Sequence, residues 1–154
     1  MSTHCFVDVN HAGNMVSRHS QAGILLFCNR SPIIWHSKRH NMVETITFGS
    51  EIRAMKNAVD LIEALRYKLR MFGLTLEGPT NIYCGSEAVC RKFLTPESTL
   101  KKKHHSIAYH RNRETVAAGT CRITKEATKT NLIDLFTKIL SKVQREALLD
   151  RFTY

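Results

Sequence analysis

Few residues in this chain could form an anionic site, so each of them is informative. The 154 residues include 13 acidic side chains against 23 lysines and arginines. The aspartates are Asp8, Asp60, Asp134 and Asp150. Asp8 stands in the middle of an apolar run, where a buried and unpaired carboxylate is costly, and we therefore expect it to be functional. Glu51 and Asp134 have an ordinary alternative explanation, because acids at helix starts complement the helix dipole.

The cysteines and histidines do not indicate a metal site. The five cysteines are widely spaced without a Cys-x-x-Cys pair, and of the eight histidines only His104 and His105 form a notable pair. This spacing disfavours a zinc site and favours a reduced, intracellular protein. No apolar run approaches the ~20 residues that a membrane-spanning helix needs, so we expect no membrane contact.

The net charge of +10 favours a polyanionic partner. Two groups of basic residues are candidates for phosphate contacts, with a solvated basic face as the alternative for both. The first group, after the predicted third strand, is Lys38 and Arg39. The second group is Lys101, Lys102, Lys103 and His104, followed by Arg111 and Arg113.

Elements that could position these residues follow from the apolar pattern. Residues 4–9, 22–29 and 32–38 predict three consecutive antiparallel strands. Residues 48–71 have a helical period and predict the longest helix. The sequence then predicts a strand over 80–84 and a helix over 87–93. After these it predicts a helix that ends at 118 and a strand over 120–125.

A last helical region is predicted from Thr130 or Asn131 to the end, with four apolar residues on one face. Those residues are Leu132, Leu135, Phe136 and Ile139. The order of elements predicts one α/β domain over residues 1–154, whose mixed five-stranded sheet is antiparallel on one side and parallel on the other.

Four blocks of sequence resemble the ribonuclease H domain of copia-type long-terminal-repeat retrotransposons. Residues 6–13 resemble the family's opening pattern, aromatic-x-Asp-x-Asp-x-Ala-Gly, and residues 32–38 resemble its third strand with proline, tryptophan and Ser-Lys. Residues 48–54 place Glu51 where the family has a glutamate in the first turn of its long helix. Residues 131–138 are close to the signature Leu-Ala-Asp-Ile-Phe-Thr-Lys. Together the blocks extend along nearly the whole chain.

The resemblance implies a ribonuclease H-like fold, with helices on both faces of the sheet, that hydrolyses the RNA strand of an RNA–DNA hybrid. Two Mg²⁺ or Mn²⁺ ions would be required, and several anionic oxygens must neutralise them. Asp8 would bridge both ions, Asp134 would help hold the ion that generates the hydroxide, and Glu51 would hold the ion at the leaving oxygen. The implied partners are the hybrid and a reverse transcriptase domain, and we expect a monomer.

The chain departs from the family at the fourth strand, where Gly85 replaces the third catalytic aspartate. Losing one anionic ligand can cost several kcal/mol, and each ~1.4 kcal/mol is tenfold in rate. Glu87 lies two residues later and could replace that ligand, although such a displacement usually changes the direction of a side chain. Asn10 replaces a further aspartate, with a small expected effect. Two functions therefore stay open, namely an active hybrid nuclease and an impaired module that binds nucleic acid or a protein without turnover.

Overall fold

A five-stranded sheet organises the part of the chain that the structure describes. The computed structural model describes residues 1–10, 19–39, 47–95 and 106–152. The strands are β1 (Thr3–Asn10), β2 (Gln21–Cys28), β3 (Ser31–Arg39), β4 (Thr80–Cys84) and β5 (Cys121–Lys125), in the spatial order β3-β2-β1-β4-β5. Neighbours among β1, β2 and β3 pair antiparallel, whereas β4 pairs parallel with β1 and β5. The predicted mixed sheet is confirmed.

Helices cover both faces of this sheet. They are α1 (Thr47–Met71), α2 (Glu87–Leu94), α3 (Ser106–Ala117), α4 (Asp134–Thr137) and α5 (Lys142–Phe152). None of the helices in these described ranges has the length and apolar character that crossing a membrane requires.

The alternation of side chains along β1 separates two apolar clusters. Cys5, Val7 and Val9 are buried in the larger cluster, which includes much of α1. Phe6 faces the other way and packs on the smaller cluster, which contains Ile133 and Leu148 from the C-terminal region. Because successive side chains of a strand point to opposite faces, Asp8 shares the face of Phe6. The functional candidate Asp8 therefore faces the C-terminal segments.

Helix α1 begins earlier than the resemblance implied. Its first turn consists of Thr47 to Ser50 and contains no acidic residue, so Glu51 lies in the second turn. Gly49 and Ser50 are buried in this opening turn. The prediction that Glu51 occupies the first turn is therefore wrong, because the helix already includes the residues before it.

The predicted C-terminal helical region is divided in two. Lys138 adopts an extended conformation (φ −126°, ψ 150°) directly after α4. Ser141 then directly precedes α5. The Gln144 backbone N–H donates to Ser141 Oγ at 3.4 Å, and Ser141 Oγ donates to Gln144 Oε1 at 3.1 Å. A Ser-x-x-Gln pattern at a helix start is a known capping signal. Ile139 lies between the helices and is fully exposed, so its predicted place on the shared apolar face is wrong.

Candidate active site

Two acidic side chains that are far apart in sequence converge on one lysine. The side chain of Asp8 near the end of β1 is 13% exposed, and that of Asp134 at the start of α4 is 5% exposed. The Nζ atom of Lys138 lies 3.1 Å from Asp8 Oδ2 and 2.8 Å from Asp134 Oδ1. Both carboxylates therefore point at a single cationic group.

The electrostatics of this cluster favour the charged lysine. Burial raises the pKa of the Asp134 carboxyl, the Lys138 ammonium lowers it, and the nearby Asp8 raises it again. Burial alone would lower the pKa of Lys138, but hydrogen bonds and charges from Asp134 and Asp8 hold it above its usual value. An ammonium surrounded in this way stays protonated at neutral pH.

Helix α4 depends on the sheet for its position. It has only four residues, and so short a helix has no stability of its own. The Asn10 amide donates to the Thr137 carbonyl at 3.0 Å, and the Ser37 hydroxyl donates to the Phe136 carbonyl at 2.7 Å. Strands β1 and β3 thus hold the turn that carries Asp134. A carboxylate at position 10 could not donate this hydrogen bond as the Asn10 amide does.

Thr137 orients Asp8 from the same helix. Its hydroxyl lies 3.1 Å from Asp8 Oδ2, to which it donates, and 3.3 Å from the Ile133 carbonyl. Thr137 and Lys138 therefore both contact the candidate metal ligand. Sequence reasoning assigned neither a role, although both lie inside the block 131–138 that resembles the family.

A glycine on β2 permits the close approach of α4. Gly23 pairs with Asp8 in the sheet. A Cβ atom at Gly23 would lie 2.6 Å from Thr137 Cγ2 and 2.8 Å from Ile133 Cγ1, closer than carbon atoms can pack. Position 23 therefore needs a residue without a side chain if α4 is to hold its place over Asp8.

We expect Gly23→Ala to destabilise the protein by about 1–3 kcal/mol, because the methyl group forces α4 away from the sheet. Equilibrium unfolding in urea measures the effect. Gly85→Ala is the matched control, since a Cβ atom there meets no described atom closer than 3.3 Å. Equal unfolding free energies for the two variants would contradict the packing described for Gly23.

Glu51 adjoins Asp8 from the other side of the sheet. The two residues line a cavity of about 10 Å³ together with Cys84 and Ser86, and such a volume holds roughly one water molecule. Burial raises the pKa of the Glu51 carboxyl, a hydrogen bond with Ser86 lowers it, and the charge of Asp8 raises it. The carboxylates of Glu51 and Asp8 are thus close enough to affect each other.

Gly85 leaves open the place where a further carboxylate would stand. A Cβ atom there would lie 3.3 Å from Asp8 Oδ1 and 3.6 Å from Asn131 Nδ2. Among the described residues, the glycines with positive φ are Gly73, Gly78 and Gly119, and Gly85 is not one of them. An L-residue therefore fits this position with at most a small adjustment, and its side chain would begin beside Asp8.

Oxygen atoms are the donors that this site offers to a cation. In the ranges that the structure describes, no three acidic, histidine or cysteine side chains are gathered closely enough to hold a metal ion. Asp8 and Asp134 nevertheless direct two oxygens at one cationic group, with Glu51 adjoining Asp8. A second ion would lack the carboxylate that Gly85 does not supply. Asp8 and Asp134 are thus the two described carboxylates that are best placed to hold a cation together.

The structure does not bring Glu87 into this cavity. Its carboxylate pairs with Lys125 at 2.9 Å and with Arg91 on the surface. Hydrogen bonds and charge from those two residues lower the pKa of Glu87. Ser86, one residue earlier, lines the cavity instead.

The candidate phosphate-binding residues lie in different surroundings. Lys38 and Arg39 are exposed at the end of β3. Arg111 pairs with Glu63 and lies 3.9 Å from Asp60, which joins α3 to α1. The Arg113 guanidinium stands 5.6 Å from the centre of the Tyr109 ring. Residues Lys101, Lys102, Lys103 and His104 lie outside the described ranges.

Comparisons with known sequences support the resemblance seen in the motifs. No protein-family model matches the chain. The chain is 28% identical over 143 residues, 93% of its length, to the retrovirus-related Pol polyprotein from transposon RE2 of Arabidopsis thaliana. Identity to the corresponding polyprotein from transposon RE1 of the same plant is 28% over 142 residues. The chain spans about a tenth of the length of these relatives.

Solved structures share the fold at low sequence identity. An LC11 RNase H1 in complex with an RNA/DNA hybrid matches with a TM-score of 0.64 and 15% identity, covering 88% of this chain and 94% of the other. RNase H1 from Halobacterium salinarum matches with a TM-score of 0.62 and 16% identity, covering 97% and 98%. A foamy viral protease-reverse transcriptase in complex with a hybrid matches with a TM-score of 0.61 and 16% identity, covering 88% and 19%. The ribonuclease H fold and the predicted resemblance to a retrotransposon ribonuclease H domain are confirmed.

Proposed function

We propose that this domain is a metal-dependent ribonuclease H that cleaves the RNA strand of RNA–DNA hybrids, at a rate limited by the missing carboxylate at Gly85. The observation that carries the proposal is the convergence of Asp8 and Asp134 on one cation position, 3.1 Å and 2.8 Å from Lys138 Nζ. A strand and a sheet-anchored helix hold these oxygens. Rigid elements of this kind are suited to a catalytic site.

Phosphodiester hydrolysis needs an activated water and compensation of the charge that develops on the phosphate. Asp8 and Asp134 would hold one divalent ion, with Glu51 assisting from the adjoining cavity. A divalent ion bound there would supply Lewis-acid stabilisation of the phosphate and would make an attacking water easier to deprotonate. Thr137 and Asn10 contribute by holding Asp8 and α4 in place.

The proposed substrate follows from charge and from the comparisons. Two of the solved structures with this fold are complexes with RNA/DNA hybrids. The net charge of +10 suits a nucleic acid, and the exposed Lys38 and Arg39 are candidates for phosphate contacts. One of these two structures is a foamy viral protease-reverse transcriptase, which supports a reverse transcriptase domain as a further partner.

A second function, binding of the hybrid without turnover, is favoured by two features of the site. Gly85 supplies no carboxylate, and the Lys138 ammonium already neutralises part of the charge on Asp8 and Asp134. This alternative predicts binding of a hybrid that weakens with salt, and no release of RNA fragments.

Cleavage of an end-labelled hybrid in Mg²⁺, Mn²⁺ or EDTA tests the proposal. We expect Glu51→Gln to lower the rate in Mn²⁺ by about tenfold or more, because a carboxylate beside the ion loses its charge. Glu87→Gln is the matched control, since Glu87 pairs with Lys125 on the surface, and we expect it to keep the rate. Metal-independent cleavage, or equal losses in both variants, would contradict the proposal. Hybrid binding without fragments would favour the alternative.

A further inference from the structure

The Lys138 ammonium stands where the divalent ion would have to bind. It contacts one oxygen of Asp8 and one of Asp134, at 3.1 Å and 2.8 Å. These are the same two carboxylates that the proposed function assigns to the ion. Two carboxylates and one ammonium leave the cluster with a formal charge of −1, so the lysine already neutralises half of the charge available to a metal.

The ammonium and a divalent ion cannot share this place. Mg²⁺ binds carboxylate oxygens at about 2.0–2.1 Å, and an ion at that distance from both carboxylates would lie within a few ångströms of Nζ. Like charges so close repel strongly in a partly buried site. Either the lysine leaves the carboxylates, or the ion binds weakly.

The position of Lys138 allows it to leave. Its side chain is 32% exposed, whereas those of Asp8 and Asp134 are 13% and 5% exposed. Lys138 follows α4 in extended conformation, outside a helix that would restrict its side chain. The flexible four-carbon stem of lysine can carry the ammonium to solvent while the anchored carboxylates remain.

We propose that Lys138 is a built-in counter-cation, which stabilises the carboxylate pair without metal and must leave it before a divalent ion binds. This inference rests on the proposed function for the identity of the ion's site. Lys138 acts only through Asp8 and Asp134, the carboxylates that it contacts. The lysine therefore sets the metal affinity of the site, and its removal should strengthen ion binding.

Mn²⁺ binding to the full chain without nucleic acid tests the inference. Titration calorimetry or the electron paramagnetic resonance signal of free Mn²⁺ gives the affinity. We expect Lys138→Met, which keeps an apolar stem, to bind Mn²⁺ about tenfold more tightly than the natural chain, equivalent to about 1.4 kcal/mol. Its melting temperature should be lower without metal and should recover with Mn²⁺.

Lys142→Met is the matched control. Lys142 also forms an i,i+4 pair, with Glu146 at 3.9 Å, but both side chains are exposed. We expect its Mn²⁺ affinity to equal that of the natural chain. Equal or weaker Mn²⁺ binding by Lys138→Met, or no binding by either protein, would overturn the inference.

Should Lys138→Met not fold, lysine acylation of the natural chain decides the question. Mass spectrometry compares the acylation of Lys138 with that of Lys142 as Mn²⁺ is added. We expect acylation to rise at Lys138 alone, and an unchanged ratio would overturn the inference. Because neither measurement involves a hybrid, the inference can fail while cleavage is observed, and it can hold while cleavage is absent.

Discussion

Gly85→Asp is expected to cleave an RNA–DNA hybrid about 10²-fold faster than the natural chain, because it returns a carboxylate to the edge of the site. The new side chain would begin 3.3 Å from Asp8 Oδ1, in a backbone conformation that L-residues adopt readily. A further carboxylate beside Asp8 would add negative charge with which the site could neutralise metal ions. Initial rates of fragment release in saturating Mn²⁺ measure the gain.

Gly85→Asn separates charge from shape in this experiment. Asparagine has nearly the size of aspartate but brings no negative charge to Asp8. We expect no gain from it. If the aspartate variant is no faster than the natural chain, the absent carboxylate does not limit the reaction, and if both variants gain equally, the effect is not electrostatic.

Asp8→Asn is expected to lower the rate of hybrid cleavage by about 10²–10³-fold or more. The amide keeps the size of the side chain but removes the negative charge that attracts Lys138 and, in its place, the proposed ion. Asp134 alone would then face the cation position, and affinity for a divalent ion should fall. We expect the free energy of unfolding to change less than the cleavage rate does, because Lys138 keeps its 2.8 Å contact with Asp134. Rates at several Mn²⁺ concentrations distinguish weaker ion binding from slower chemistry.

Asp60→Asn is the control for this loss. Asp60 pairs with Lys56 at 2.6 Å on α1, and both side chains are well exposed. We expect it to retain the rate of the natural chain, because exposed pairs contribute little. A cleavage rate in Asp8→Asn that matches this control would rule out Asp8 as a ligand of the essential ion.

Much of the fold was predictable because local patterns agree with the tertiary structure. The apolar runs of β1 to β3 and the helical period of α1 lie close to the observed bounds. The division of the C-terminal region into two helices was not predictable, because α4 is held by hydrogen bonds from Asn10 and Ser37. Those bonds join residues about a hundred or more positions apart, which periodicity cannot reveal. The cap at Ser141 is a local signal for a helix start, but the apolar pattern predicted one helical region that continued across it.

The candidate site was predictable only in part for a similar reason. Asp8 was conspicuous in an apolar strand, whereas Glu51 and Asp134 depended on the resemblance. Lys138 looks like an ordinary helical lysine in the sequence, and its contact with Asp8 arises from the packing of α4 on the sheet. The need for glycine at position 23 also becomes visible only when α4 is in place.

A crystal structure of the natural chain grown with Mn²⁺, with anomalous data at the manganese edge, tests the location of the ion most directly. We expect one strong anomalous peak at about 2.2 Å from oxygens of both Asp8 and Asp134, with the Lys138 ammonium turned away from them. Peaks only elsewhere, with Lys138 still bridging the two carboxylates at saturating Mn²⁺, would contradict it.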